Sequence, residues 1–202
     1  MPKLELVSKI KNDRLRQAVS RAFTVNSYKL GFLPASFTGH FHPKEERGYG
    51  GLIKHIEKMC WYLERVCEEF QYPDETRDIL LTAACFHDLG KLKQTIVRQE
   101  LTYEENGTVK HATHVSREIG EQDKHPQLSA EMARKFLKEE GTEEEKIRTI
   151  CHIISSHMSH WYPQSPLPRT ELEKLFALGD FLVSRPEFRI EMPSLSLSLI
   201  HI

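Results

Sequence analysis

Histidine and aspartate side chains in the middle of the chain have the types and spacing of a metal site. There are 11 histidines, and most of them lie between positions 40 and 160. His87 is followed directly by Asp88 at the end of an apolar run, where residues 86–91 read FHDLGK. A buried carboxylate is costly unless it is paired or binds a metal. We expect Gly90 to break the helix so that both side chains reach one metal; the alternative is a metal-free helix cap before a glycine.

Two further polar residues lie inside predicted apolar helices. His55 lies in a helix predicted over residues 51–70, and Asp180 lies in the run FALGDFL at residues 176–182. A lone histidine in such a helix is more often a core residue, but two acids and two histidines on three helices need a common explanation. A divalent metal would neutralise the carboxylates and use the imidazoles as ligands. The predicted ligands from this reasoning are His55, His87, Asp88 and Asp180.

The elements that must position these residues are predicted to be helices. Apolar residues recur at steps of three and four, and the least interrupted run predicts a central helix over 75–89. Asn106-Gly107 lies between two alternating segments, which is a strong signal for a β-hairpin. The further predicted helices cover residues 13–30, 51–70, 127–139, 143–159 and 170–184. The expected fold class is therefore all-α, a helical bundle with a small β-hairpin insertion near 96–112.

Composition excludes several classes of function. The formal net charge is −1, so no bulk field favours nucleic acid or a membrane surface. The chain has no apolar run near 18 residues and no secretory signal at its start, so neither membrane insertion nor secretion is expected. None of the four cysteines is in a CxxC spacing, which favours free thiols in a cytoplasmic protein.

Three segments together resemble the H…HD…D pattern of the HD phosphohydrolase superfamily. They are GGLIKH ending at His55, HDLGK beginning at His87, and LGDFL around Asp180. The resemblance covers about residues 36–184 and implies an all-helical fold with one or two divalent metals in its core. It also implies hydrolysis of phosphate monoesters, nucleotides, cyclic dinucleotides or nucleic acids. The local layout resembles the HD domain of HD-type 3′-to-5′ exoribonucleases and, more distantly, HD-GYP phosphodiesterases.

Two more histidines resemble ligands of the two-metal members. His125 opens the run HPQLSA, and His157 closes the run IISSH where those families carry a His-His pair. Met158 follows here, so the pair is reduced to one ligand. The resemblance implies that Asp88 bridges two metals, and His125 and His157 would bind the second one. The complete predicted ligand set is His55, His87, Asp88, His125, His157 and Asp180.

The residues predicted to be catalytic are Asp88 and Lys91. Lys91 could hold a phosphate oxygen as a mobile charge, or it could simply complement the dipole at a helix end. His160 is a further residue that could contact phosphate or solvent, while His152 is interpreted as structural or as a residue that contacts the ligands from outside. The weaker phosphate candidates, each expected to lie on the surface, are Arg47, His111, His114 and Arg117.

The expected reaction is hydrolysis of phosphate esters of nucleotides or short single-stranded nucleic acid by a metal-activated water. Histidine-rich ligation favours Mn, Fe, Co or Ni over Mg, which stays open. Three alternatives remain: a mononuclear HD nucleotidase or dNTP triphosphohydrolase, a di-iron HD-type oxygenase, and a non-catalytic HD fold. The chain of 202 residues divides into an N-terminal helical extension at 1–35, an HD phosphohydrolase domain at 36–190 and a tail at 191–202 interpreted as disordered or artefactual.

Overall fold

The fold is built from helices with one hairpin between them. The computed structural model describes residues 5–38, 41–103, 109–117 and 124–187. The helices are α1 (Glu5–Ser8), α2 (Asp13–Phe32), α3 (Gly51–Glu69), α4 (Asp74–Phe86), α5 (His125–Glu139), α6 (Glu144–Ser156) and α7 (Glu171–Ser184). Two short 3-10 helices cover Lys44–Glu46 and Leu89–Gln94. The predicted all-α class with a small hairpin is confirmed.

Helix α4 lies at the centre of the bundle. Its residues from Leu80 to Phe86 are all buried, and it contacts α2, α3, α5 and α6. A helix that is apolar on every side must be surrounded by other elements. The end of α4, with His87 and Asp88 directly after it, is therefore placed inside the bundle and away from its surface.

The start of α3 depends on two glycines. Gly50 has a φ of 69°, a left-handed conformation that favours glycine. Gly51 lies so close to the preceding loop that an added Cβ would be 2.0 Å from the carbonyl oxygen of Glu46. The two glycines therefore allow the loop carrying Glu46 to lie against α3, where Glu46 reaches His55.

Gly90 was expected to break the helix, but α4 already ends at Phe86, and Gly90 does not have the left-handed conformation common in glycines that end helices. Among the described residues, a positive φ occurs at Gln71, Gly50 and Gly141, and not at Gly90. Gly90 instead lies within the 3-10 helix Leu89–Gln94, where an added Cβ would be 2.3 Å from the backbone oxygen of His125. Its small size therefore permits the close approach of α5, the helix that begins at His125.

The hairpin consists of β1 (Thr95–Tyr103) and β2 (Val109–Arg117). The strands are antiparallel, with Thr95 opposite Arg117 and Tyr103 opposite Val109. The predicted Asn106-Gly107 turn lies outside the described residues, as does the tail at 191–202. Among the described helices, none is long and apolar enough to cross a membrane.

The division of the chain into 1–35, 36–190 and 191–202 stays a prediction. Helix α2 lies entirely within the first of these segments, yet its buried residues Leu15, Val19 and Ala22 are part of the same hydrophobic core as α3 to α7. The four cysteines are all buried, and none of them forms a disulfide.

Candidate metal centre

The six predicted ligands converge on one point in the bundle, and each is buried. His55 lies inside α3 and Asp180 inside α7, while His125 is the first residue of α5. His87 and His157 are the residues that directly follow the last turns of α4 and α6. Side chains from five different elements therefore meet around Asp88.

One group of ligands, called here the His55 half, consists of His55, His87 and Asp180. The Nε2 atom of His55 is 3.2 Å from that of His87 and 3.0 Å from Oδ1 of Asp180. The Nε2 atom of His87 is 3.5 Å from the same oxygen. Both histidine nitrogens lie 3.7 Å from Oδ2 of Asp88. The donor atoms of this half thus surround one small volume.

The other group, called here the His125 half, consists of His125 and His157. Their Nε2 atoms are 3.1 Å and 4.0 Å from Oδ1 of Asp88. Asp88 therefore directs one carboxylate oxygen towards each half. His157 also lies close to His87 and Asp180, so that its ligand atom could serve either side.

Two of the histidines are oriented by backbone carbonyls. Nδ1 of His87 is 2.7 Å from the oxygen of Ala84, and Nδ1 of His157 is 2.6 Å from that of Ile154. In each case the Nδ1–H group donates to a carbonyl three residues earlier, at the open end of a helix. This hydrogen bond fixes the tautomer and leaves an unprotonated Nε2 facing the centre, as metal ligation requires.

Glu46 is a buried site residue that the sequence analysis missed. Its Oε1 lies 3.1 Å from Nζ of Lys58 and its Oε2 lies 2.8 Å from Nδ1 of His42. The same Oε2 is 3.4 Å from Nδ1 of His55, a separation without hydrogen-bond geometry, so this contact is a charge interaction. The only signal in the sequence was the four-residue step from His42 to Glu46, in a segment interpreted as a loop.

The two carboxylates of the centre are held in their charged form. Burial acts to raise the pKa of Asp88, but the neighbouring Lys91, His87 and His125 outweigh it and hold that pKa well below the usual range. Burial likewise acts to raise the pKa of Asp180, and its contacts with His55 and His87 hold it well below the usual range. Both groups are therefore anionic at neutral pH, as a cation site requires.

His55 and His157, one histidine from each half, have opposite pKa shifts. Burial acts to lower the pKa of His55, but Asp180, Glu46 and Asp88 together raise it to about 9. Burial dominates at His157 and lowers its pKa to about 3, because the nearby carboxylates do not compensate. Nε2 of His157 is also buried without a hydrogen-bond partner among the described residues.

Lys91 lies beside Asp88 at the wall of the site. Its Nζ is 2.5 Å from Oδ2 of Asp88 and 2.7 Å from the backbone oxygen of Ala35. The side chain lines the same cavity as the metal ligands. The ammonium group of Lys91 therefore lies where a phosphate entering the cavity would approach Asp88. Its position is fixed by these two hydrogen bonds.

The weaker candidates separate into two groups. His160 lines the cavity, whereas Arg47 donates to the backbone oxygen of His42 and His114 pairs with Glu100 on the hairpin. Nδ1 of His152 lies 2.9 Å from Oε1 of Glu173, and His152 does not line the cavity. The side chains of His111 and Arg117 lie outside the described residues.

The donor set fits divalent metals. Two anionic carboxylates and four imidazoles supply oxygen and nitrogen ligands, and overlapping groups of three have ligand atoms within 4.8 Å of one another. The unpartnered Nε2 of His157 is the kind of buried polar atom that needs a partner. Five of the six ligands, all except His87, line a cavity of about 680 Å³, within the range of about 300–1,000 Å³ common for ligand pockets.

Comparison with known proteins agrees with this geometry. A family model described as HD domain matches residues 52–182, more than half of the chain. The matched segment contains all six ligands and Lys91. No curated protein and no solved structure matches the chain.

Proposed function

The chain belongs to the HD domain family of metal-dependent phosphohydrolases, and we propose that it is a two-metal phosphodiesterase acting on nucleotides or short single-stranded nucleic acid. The observation that carries this proposal is the position of Asp88. Its two oxygens face separate sets of histidines, at 3.7 Å for the His55 half and 3.1 Å for His125. A mononuclear centre would use the His55 half with Asp88 and leave His125 and His157 without a ligand role.

Metals bound by these six residues would lower the pKa of a bound water and neutralise charge on the phosphoryl oxygens. The chain itself supplies the remaining contributions. Lys91 is placed to bind a phosphoryl oxygen, since its ammonium lies at the cavity wall 2.5 Å from Asp88. The carbonyls of Ala84 and Ile154 hold the rings of His87 and His157 in the ligating orientation. Catalysis of this kind depends on fixed positions more than on proton transfer by a side chain.

Positive side chains along the cavity support a phosphate-bearing substrate. Lys91, Lys174 and Arg185 all line the cavity. The net charge of the whole chain is −1, so this local arrangement, and not the bulk charge, would attract an anion. Histidine-rich ligation favours Mn, Fe, Co or Ni as the metals.

A substrate panel tests the proposal directly. The protein is stripped with a chelator, reloaded with Mn²⁺, and assayed on a chromogenic phosphodiester, a phosphomonoester, nucleoside triphosphates, cyclic dinucleotides, and single-stranded RNA and DNA. We expect diester hydrolysis that is lost on chelation and restored by Mn²⁺. Lys91→Ala should lower this activity, while Lys93→Ala, an exposed lysine of the same 3-10 helix, serves as the matched control.

Other outcomes would favour the alternatives. Activity confined to monoesters or triphosphates, with one bound ion, would support a mononuclear nucleotidase or triphosphohydrolase. Consumption of O₂ by the iron-loaded protein would support an oxygenase. Absence of turnover in every metal form would contradict the proposed function.

A further inference from the structure

Three exposed aromatic side chains lie along one wall of the cavity, above the metal centre. They are Phe41, Trp161 and Phe181, with exposed fractions of 50%, 54% and 38%. Each comes from a different segment: the loop before α3, the loop after α6, and α7. None of the three has a role in the phosphate chemistry described above.

Arg185 lies among these rings. The central carbon of its guanidinium is 4.6 Å from the ring centre of Phe41, 5.6 Å from that of Trp161 and 4.4 Å from that of Phe181. The rings of Phe41 and Trp161 are 6.1 Å apart with an angle of 36° between their planes. We call Phe41, Trp161, Phe181 and Arg185 the aromatic rim.

The rim is connected to the metal centre through the backbone. Phe181 directly follows Asp180 in α7, so the two Cα atoms are about 3.8 Å apart. Trp161 lies in the turn that follows His157, where its backbone N–H donates to the backbone oxygen of Met158 at 2.9 Å. A group bound to the rim is therefore held at a fixed position relative to the ligands on the cavity floor.

We propose that the aromatic rim binds the base of a nucleotide whose phosphate lies at the metal centre. This inference rests on the proposed function and specifies its substrate class as base-bearing phosphoesters. Bases stack on aromatic rings and on arginine, and stacking tolerates different bases because every base has a flat π-face. The rim therefore provides affinity for nucleotides with little selection among bases.

The charge of Arg185 decides between a base and an aliphatic group. An acyl chain over the rings would bury the guanidinium against hydrocarbon and remove its contact with water, at a high cost. A base covers the rings while its edge offers oxygen and nitrogen acceptors to the guanidinium. A sugar phosphate without a base would leave the three rings exposed to water.

Tryptophan fluorescence can report on the rim by itself. The chain has two tryptophans, Trp61 and Trp161, and Trp61 does not line the cavity. In Trp61→Phe, the emission comes from Trp161 alone. With Mn²⁺ bound, we expect saturable quenching by adenosine monophosphate and none by ribose 5-phosphate. The reciprocal variant Trp161→Phe should show no quenching by either compound.

Kinetics provide the second readout. The wild-type protein should prefer a thymidine dinucleotide over the corresponding abasic compound, and Trp161→Ala should reduce this preference roughly 10-fold, in line with the contribution of one stacked base. Phe70→Ala is the matched control, because Phe70 is 66% exposed and lies at the far end of α3, outside the cavity.

The outcomes separate this inference from the proposed function. Quenching by the nucleotide without hydrolysis of any phosphoester would refute the function and leave base binding standing. Hydrolysis without quenching, and with equal rates on base-bearing and abasic compounds, would overturn the rim inference alone. Equal quenching by ribose 5-phosphate, or stronger quenching by dodecyl phosphate, would also overturn it.

Discussion

The two halves of the metal centre share Asp88 but differ in their surroundings. In the His55 half, His55 lies between Asp180 at 3.0 Å and Glu46 at 3.4 Å, and these carboxylates raise its pKa to about 9. In the His125 half, the imidazole of His157 is neutral, with a pKa of about 3. Its Nε2 has no hydrogen-bond partner within the described part of the chain.

This difference indicates which half keeps the geometry of its ligands without a bound metal. The His55 half has a carboxylate on each side of His55 and an outer network that includes Lys58 and His42. The His125 half has two imidazoles facing one carboxylate oxygen. We infer that the His55 half keeps its geometry without metal, whereas the His125 half depends on the shared Asp88 and on the close contact with Gly90.

Asp88→Ala should have the largest effect, because it removes the ligand common to both halves. We expect hydrolysis to fall by about 10³-fold or more, as when a principal catalytic electrostatic group is lost. Metal content should fall as well, while the circular dichroism spectrum stays helical. Hydrolysis at the wild-type rate would contradict the assignment of a metal centre to this site.

A second buried aspartate of the same chain segment provides the control. Asp78 lies in α4 and accepts hydrogen bonds from the backbone N–H groups of Lys11 and Asn12, at 3.0 and 2.7 Å. Asp78→Asn should lower the melting temperature and retain hydrolysis below that temperature. The pair of variants separates loss of the site from loss of a buried carboxylate in general.

His125→Ala should affect only one half. Because the His55 half and Asp88 remain, the number of ions bound under Mn²⁺ saturation should fall from about two to about one, with most diesterase activity lost. His152→Ala changes a histidine outside the cavity and should keep both ions. Metal analysis that finds a single tightly bound ion in the wild-type protein would reject the two-metal centre.

The sequence predicted these ligands because a polar residue in an apolar helix is conspicuous. His55, Asp180 and the His87-Asp88 pair interrupt apolar runs, and the family pattern connected them with His125 and His157. Glu46 was missed because it lies in a segment rich in glycine and proline, where no periodicity identifies a buried side. The burial of Glu46 depends on the contact with Gly51, which is a tertiary feature.

The aromatic rim was missed, and Gly90 was given a different role, for related reasons. Phe41, Trp161 and Phe181 are apolar residues distant in sequence, and apolar residues are normally assigned to a core. A glycine after a helix can serve a left-handed turn or a close approach of two backbones, and only the second applies to Gly90. Local sequence predicts elements and ligand types, but the contacts between elements decide these roles.

Gly90→Ala should selectively disturb the His125 half. Its Cβ would meet the backbone oxygen of His125 at 2.3 Å and the backbone nitrogen of Ser129 at 2.6 Å, so the start of α5 must move. A displacement of about 1 Å at a catalytic group can cost on the order of 10²-fold in rate. We expect a loss of that size, together with fewer bound Mn²⁺ ions, measured by kinetics and metal analysis.

Gly179→Ala is the matched variant beside the His55 half. Its Cβ would meet ring atoms of Tyr62 at 2.8 and 3.1 Å and the terminal methyl of Met59 at 3.3 Å. The Met59 methyl can move readily and the Tyr62 ring is partly exposed, so Asp180 should keep its position. A loss of activity equal to that of Gly90→Ala would show that the His125 half is no more sensitive to backbone position than the His55 half.

Glu46→Gln should have the smallest effect and should be limited to the His55 half. Glu46 faces His42, His55 and Lys58, and a glutamine has one acceptor oxygen for these three groups and no charge to balance Lys58. Loss of an outer partner of a ligating histidine typically costs about 10–100-fold in metal affinity.

The effect is best measured by Mn²⁺ titration in the His125→Ala background, where the ion in the His55 half is observed alone. The neighbouring exposed residue provides the control variant Glu45→Gln. Unchanged Mn²⁺ affinity in the Glu46→Gln/His125→Ala double variant would show that Asp180 and helix α3 alone hold His55 in place. The contacts of Glu46 would then not distinguish the His55 half from the His125 half.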